Sequence, residues 1–232
     1  MTKKKAAKRE IPAVPRTLWA VVASILSAGL LFAIGALALF AWIAEEVPEG
    51  DTLGFDNAVR GFVHDHSVAW LTVVMQGFSF LGSTIFLTLA AVAVLVTLYR
   101  FGHRHSAVLF TVTMIGATIL NFVLKITFVR ERPIPYFDTP LPSSYSFPSG
   151  HALFSLCFYG SLAWIWTAHP IGTERKVAAW IMAILLIFFI GLSRVYLGVH
   201  YPSDVIAGYL AAFVWVAAVF GSDAWLAKKA AR

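Results

Sequence analysis

Six apolar runs, each near the length a helix needs to cross roughly 30 Å of hydrocarbon, fall at about 18–43, 68–99, 106–125, 151–168, 177–194 and 203–226. No other feature limits the fold as strongly, because a backbone in lipid must satisfy its own hydrogen bonds and a helix does so within one segment. Of the 232 residues, 59% are hydrophobic and only 13% charged, which is more apolar surface than a soluble core of this size encloses. The expected fold is therefore all-α, an integral membrane bundle of six transmembrane helices with both termini on one side. The second run is over-long and interrupted by "GFSFLGS" at 77–83. It is either one kinked crossing, the reading adopted, or a re-entrant turn followed by a helix.

Charge sets the orientation. Thirteen of the eighteen Lys and Arg residues fall on the N-terminal side of the expected bundle, so the positive-inside rule puts both termini in the cytoplasm. The basic start, "MTKKKAAKRE", resembles the head of a signal peptide, but the 26-residue run behind it is too long for a cleaved one and fits an uncleaved anchor. The division expected is a basic tail over 1–17, a membrane domain over 18–226 and a second basic tail over 227–232. The net charge of +6 follows from topology and not from a nucleic-acid surface, since the cations flank apolar runs and line no groove. Cys157 has no partner cysteine and sits within an apolar run, as a small buried hydrophobe does.

Five cations break the topological pattern: Arg60, Lys125, Arg130, Arg132 and Arg194 belong to the outer side. Arg60 lies in "FDNAVRGFVHDHS", where Phe55, Val59, Phe62 and Val63 follow helical spacing. That segment reads as a short helix on the outer leaflet or as a polar linker with incidental aromatics. The spans carry almost no ionisable residue away from their ends, which leaves a midplane ion relay without support.

Three clusters stand at the outer ends of spans: "KITFVRERP" with Lys125 and Arg132, "PSGH" over 148–151, and "SRVYLGVHYPSD" with Arg194, His200 and Asp204. Lys125, Arg132 and Arg194 at one depth repel by on the order of several kcal/mol at an effective dielectric near 20 unless an anion lies among them. A phosphate fits, since arginine offers its oxygens a planar fork and lysine a point charge. A helix starting at "PSGH" adds unpaired amides and the positive end of the helix dipole, Gly150 allows close backbone approach, and Ser149 adds a hydroxyl. His151 is placed to protonate a leaving oxygen. His200 is placed to attack phosphorus while Asp204 fixes its tautomer. Pro202 fits the first turn of the last helix, so the His200–Asp204 contact crosses a turn. Three cations around one useful carboxylate also differ from a magnesium or manganese site, which gathers carboxylates, so no metal and no cofactor is expected.

Taken singly, each cluster has a plainer reading: snorkelling anchors, a helix-start turn, a structural hydrogen bond. Their meeting on one face is what argues for a site. His64, His66, His103, His105 and His169 have no such company and carry no assigned chemistry. Glu131 either pairs with a neighbouring arginine or shapes the entrance.

K-x6-RP at 125–133, PSGH at 148–151 and SR-x5-H-x3-D at 193–204, complete and in order, resemble the three-part signature of the type 2 phosphatidic acid phosphatase family. The six-run layout resembles its bacterial membrane branch, which includes phosphatidylglycerophosphate phosphatase B-like and undecaprenyl pyrophosphate phosphatase enzymes. The resemblance implies a metal-independent lipid phosphatase of the cell membrane whose active site is extracytoplasmic. His200 would form a phosphohistidine, Asp204 would orient it and His151 would act as acid. Lys125, Arg132, Ser149, Gly150 and Arg194 would hold the phosphate of an outer-leaflet lipid. The family also contains vanadate-dependent haloperoxidases, which are soluble and lack such spans. A transporter or scramblase that binds the headgroup without cleaving it is the alternative from another class.

Overall fold

A computed structural model of the protein describes residues 16–137 and 139–230, with side chains from Gly29 onward. Among the described residues there are eight α-helices and no strand: α1 (Arg16–Glu49), α2 (Leu53–Asp65), α3 (Ala69–Leu81), α4 (Thr84–Arg100), α5 (Arg104–Phe128), α6 (Gly150–Thr167), α7 (Thr173–Tyr196) and α8 (Pro202–Ala230). The basic stretch expected over 1–17 lies almost wholly outside the described residues. The one expected from 227 continues, as far as it is described, as the last turn of α8.

Every expected run contains helix. The over-long second run is two helices, α3 and α4, bent by 48° at the Gly82–Ser83 break. The Ser83 hydroxyl accepts from the Phe86 amide at 3.3 Å and so starts α4 afresh. Four helices, α1, α5, α7 and α8, are long and apolar enough to cross a membrane, and the bent pair makes five if it is one span. The remaining expected span, α6, is 18 residues long, carries His151, Ser155, Gly160 and Ser161, and is not among the helices long and apolar enough to cross.

The reason lies in its surroundings. Helix α6 is the centre of the bundle and packs against α4, α5, α7 and α8, so little of it faces outward. Small residues let its neighbours approach, as membrane helix pairs favour. Outward-facing Ile85, Leu89, Ile115, Ile119, Ile181 and Met182 of α4, α5 and α7 are exposed, which is the pattern of a lipid-facing surface. Cys157 is fully buried among Ala117, Leu153 and Ala212.

Two contacts position the end of the bundle where α6 begins. On α1, Ile43, Ala44 and Val47 pack with Phe147 and Ala207, which fixes the chain just before Pro148. On α8, Gly208 passes the start of α6 so closely that a Cβ there would lie 2.6 Å from the Ser149 carbonyl oxygen.

The "FDNAVRGFVHDHS" segment is a helix, α2, but the face it buries carries charge. Asp56 and Arg60 are turned into the protein while Phe55 and Phe62 are exposed. Val59 and Val63 sit beside the charges on the same inward stripe, against Val195 and Tyr196 of α7.

Candidate active site

Helix α5 ends with Lys125 one turn before a left-handed Val129, whose amide donates to the Lys125 carbonyl at 3.1 Å. That stop turns the chain so that Arg132 lies back across the bundle end. The Lys125 ammonium donates to the Tyr145 carbonyl. Arg132 donates to the Ser144 carbonyl at 2.8 Å and the Val199 carbonyl at 2.9 Å. Arg194, in the last turn of α7, donates to the Ser79 hydroxyl of α3. Each cation is thus held by neutral oxygens. Among the described residues none of the three lies in an ion pair with a carboxylate. The Arg194 Nε is buried with no partner.

The structure brings all eight residues expected from sequence to this one end. His151, in the first turn of α6, lies within coulombic range of Arg194, His200, Arg132 and Lys125 at once. Its ring edge rests against Gly82 at the α3–α4 break, where a Cβ would meet the His151 Cδ2 at 3.1 Å. Ser149 is the N-cap residue of α6, yet its hydroxyl does not cap the helix; it is fully buried and has no hydrogen-bond partner. A Cβ on Gly150 would come within 3.3 Å of the Asn121 side-chain oxygen, so a glycine is what lets α5 and α6 meet here.

His200, in the turn between α7 and α8, is 2% exposed. Its Nδ1 lies 3.2 Å from the Asp204 Oδ2, and its Nε2 lies 3.1 Å from an Arg132 terminal nitrogen. A guanidinium only donates, so Nε2 must carry the lone pair and Nδ1 the proton that Asp204 accepts. Burial pushes the His200 imidazole down to about 3, although the hydrogen bond and charge of Asp204 pull the other way. The ring is therefore neutral, and its Nε2 lone pair accepts from Arg132. Arg132 is also pulled down by burial, with Asp204 acting against that shift.

The model of the PAP2 superfamily matches residues 106–227, just over half of the chain and inclusive of all eight site residues. This chain belongs to the PAP2 superfamily. Phosphatidylglycerophosphatase B of Bacillus subtilis is 33% identical over 141 residues, which cover 60% of this chain and 69% of the relative. Undecaprenyl-diphosphatase of Sulfolobus acidocaldarius is 29% identical over 163 residues, covering 68% and 73% respectively. A crystal structure described as the first transmembrane PAP2 type phosphatidylglycerolphosphate phosphatase, from Bacillus subtilis, superposes with a TM-score of 0.76 at 28% identity, over 82% of this chain and 95% of that one. The chain is thus a multi-pass membrane enzyme of a lipid phosphatase family.

Several residues at this PAP2 site lie outside the signature. Arg130 was set aside on sequence as a non-signature cation; it forms ion pairs with Asp56 of α2 at 2.8 Å and Asp204 at 2.7 Å. Ser146 donates to the Asp204 Oδ2 and lies 3.4 Å from the His200 Nδ1. Arg60 reaches the Ile134 carbonyl at 2.8 Å and lies over the rings of Tyr136 and Tyr201. The sequence signal for these was the excess of outer cations together with two charges on α2, but nothing in one sequence pairs them. Glu131 is exposed and forms no ion pair among the described residues. No group of three metal-donor side chains occurs among the described residues.

Proposed function

We propose that the chain hydrolyses the phosphate monoester or pyrophosphate headgroup of a membrane lipid through a phosphohistidine at His200. The carrying observation is the His200 Nε2, which Asp204 on the opposite ring nitrogen leaves as an acceptor beside Arg132, in a site whose Lys125, Arg132 and Arg194 form no ion pair with a carboxylate among the described residues. In this reading Lys125, Arg132 and Arg194 hold the three non-bridging oxygens, and the orphan Ser149 hydroxyl and the first amides of α6 from Gly150 onward complete the cradle. The His200 Nε2 attacks phosphorus in line, and Asp204 supports the positive charge that develops on the ring. His151 protonates the leaving oxygen and then accepts a proton from the water that releases phosphate. The cations do the charge neutralisation a metal would supply, so the reaction proceeds with chelator present.

The site lies outside the cytoplasm in a six-span domain over 18–226, with α6 as its fourth span and the 1–17 and 227–232 tails inside. An outer-leaflet lipid is then the substrate, with phosphatidylglycerophosphate, phosphatidic acid and undecaprenyl pyrophosphate as candidates; the names of two relatives support the first and the last as lipid phosphates. Purified protein is tested on each of the three, detergent-solubilised, with chelator. Phosphate release from at least one, lost in His200→Ala, is the expected result. No release from any, or a His200→Ala rate equal to wild type, overturns the reading. Lipid movement that persists in His200→Ala would point instead to a transporter or scramblase.

A further inference from the structure

We propose that Arg130 and Asp56 are positioning residues for the reaction: α2, at the outer end of the bundle, holds the orienting carboxylate of Asp204 through the guanidinium of Arg130. This rests on reading His200 as the nucleophile.

Both terminal nitrogens of Arg130 are fully engaged. One terminal nitrogen donates to the Asp204 Oδ1 at 2.7 Å and the Ser203 hydroxyl at 2.8 Å; the other donates to the Asp56 Oδ2 at 2.8 Å and the Thr52 hydroxyl at 3.1 Å. The Tyr201 ring covers the guanidinium, 4.0 Å from its carbon. All four terminal N–H bonds are thereby spent within the protein, so the fork of this cation is committed to two carboxylates. It differs in kind from Arg194, which keeps a buried, unpartnered Nε.

Asp56 is the anchor behind it. The carboxylate is fully buried and accepts from the Ser203 amide at 2.9 Å and the Ser203 hydroxyl at 2.6 Å as well as from Arg130. It thus ties α2 to the first turn of α8, one residue before Asp204. The two oxygens of Asp204 are divided: Oδ1 goes to Arg130, while Oδ2 takes Ser146, the Tyr201 amide and the His200 Nδ1. A carboxylate pinned at one oxygen cannot swing without breaking a charge-assisted bond, so Oδ2 stays aimed at His200. Buried ion pairs contribute little to stability after desolvation, which makes orientation the better account of this one.

The electrostatic consequence is separate from the mechanical one. Arg130 and His200 share the charge of Asp204. His200 is also faced by Arg132 from the segment after α5, Arg194 from α7 and His151 from α6. With Arg130 neutralised, more of the Asp204 charge acts on the imidazole, which then takes a proton at higher pH and loses its nucleophilic lone pair.

Arg130→Gln, Arg130→Lys, Asp56→Asn and the Asp56→Asn/Arg130→Gln double variant are assayed with solubilised phosphatidic acid, and unfolding temperature is recorded. Arg130→Gln is expected to lower kcat about 10–100-fold, as loss of an outer-shell partner does, with KM within about twofold. The acid limb of kcat/KM should move up by about half a unit or more. Lysine should restore part of the loss, because it keeps the charge but not the fork. The double variant should be no worse than Arg130→Gln alone. An unmoved acid limb with near-wild-type kcat, a loss that falls in KM, or losses that multiply would each overturn the proposal. If Arg130→Gln does not fold, the isosteric Asp56→Asn carries the same test, and an unmoved limb in it counts against the proposal. If the wild type releases no phosphate, the phosphatase reading fails by itself. Ring-nitrogen NMR of His200 then still decides: a single Nδ1–H tautomer in wild type that becomes mixed in Arg130→Gln supports the positioning role, and an unchanged tautomer overturns it.

Discussion

At the scale of single residues the site is a division of labour between groups that are satisfied and groups that are not. The Ser149 hydroxyl is buried without a partner, so Ser149→Ala removes no intramolecular bond. It is expected to leave the unfolding temperature unchanged and to raise KM about 5–10-fold, the loss of roughly one hydrogen bond to substrate, measured by steady-state kinetics. His200 gives a pH signature. Its ordinary value of 6.5 holds in the unfolded chain and about 3 in the native protein. The unfolded state therefore binds more protons between those values, and stability falls as pH drops through that window and is unaffected above it. Denaturation of wild type in detergent should show this slope, and His200→Gln should show a shallower one. The three-motif signature was legible at this scale because it consists of residue types whose chemistry is unusual at a span end. Arg130, Asp56 and Ser146 were not legible, because their roles depend on partners 58 to 74 or more positions away.

At the scale of elements, glycines mark where helices must meet. A methyl on Gly208 would collide with the Ser149 carbonyl at 2.6 Å and the Ala152 Cβ at 3.1 Å, which pushes α8 from the start of α6. That displacement also strains the 2.9 Å bond from the Ser149 amide to the Asp204 carbonyl. Gly208→Ala is expected to cost about 1–3 kcal/mol of stability and most of the activity. Gly221→Ala, on the same helix with nothing within 4 Å, should cost neither. Thermal unfolding of the pair beside wild type checks this. Periodicity showed that helices exist and roughly where they end, since lipid demands long apolar runs. It did not show that α2 turns charge inward: Asp56 and Arg60 have the buried partners, while Phe55 and Phe62 are exposed. The interruption "GFSFLGS" marked the break in the second run, but not its 48° angle.

At the scale of the whole molecule, one end of the bundle collects the cations, both histidines and the Arg130 network around the central helix α6. Four helices, or five with the bent pair, are apolar enough to cross a membrane, and α6, wrapped by four others, needs no lipid-compatible surface. Single cysteines placed at exposed Glu131 and exposed Arg175, in the Cys157→Ala background, should label with a membrane-impermeant thiol reagent in intact cells at the first position only. Labelling at Arg175 alone would invert the orientation. The central claim, that His200 is the nucleophile of a phosphatase, is tested most directly by trapping. Protein mixed with a lipid phosphate radiolabelled in its terminal phosphate, quenched within a turnover and kept alkaline, should carry label on a peptide containing His200, and His200→Ala should carry none. Full phosphate release without label on that peptide, or label retained in His200→Ala, would contradict the account.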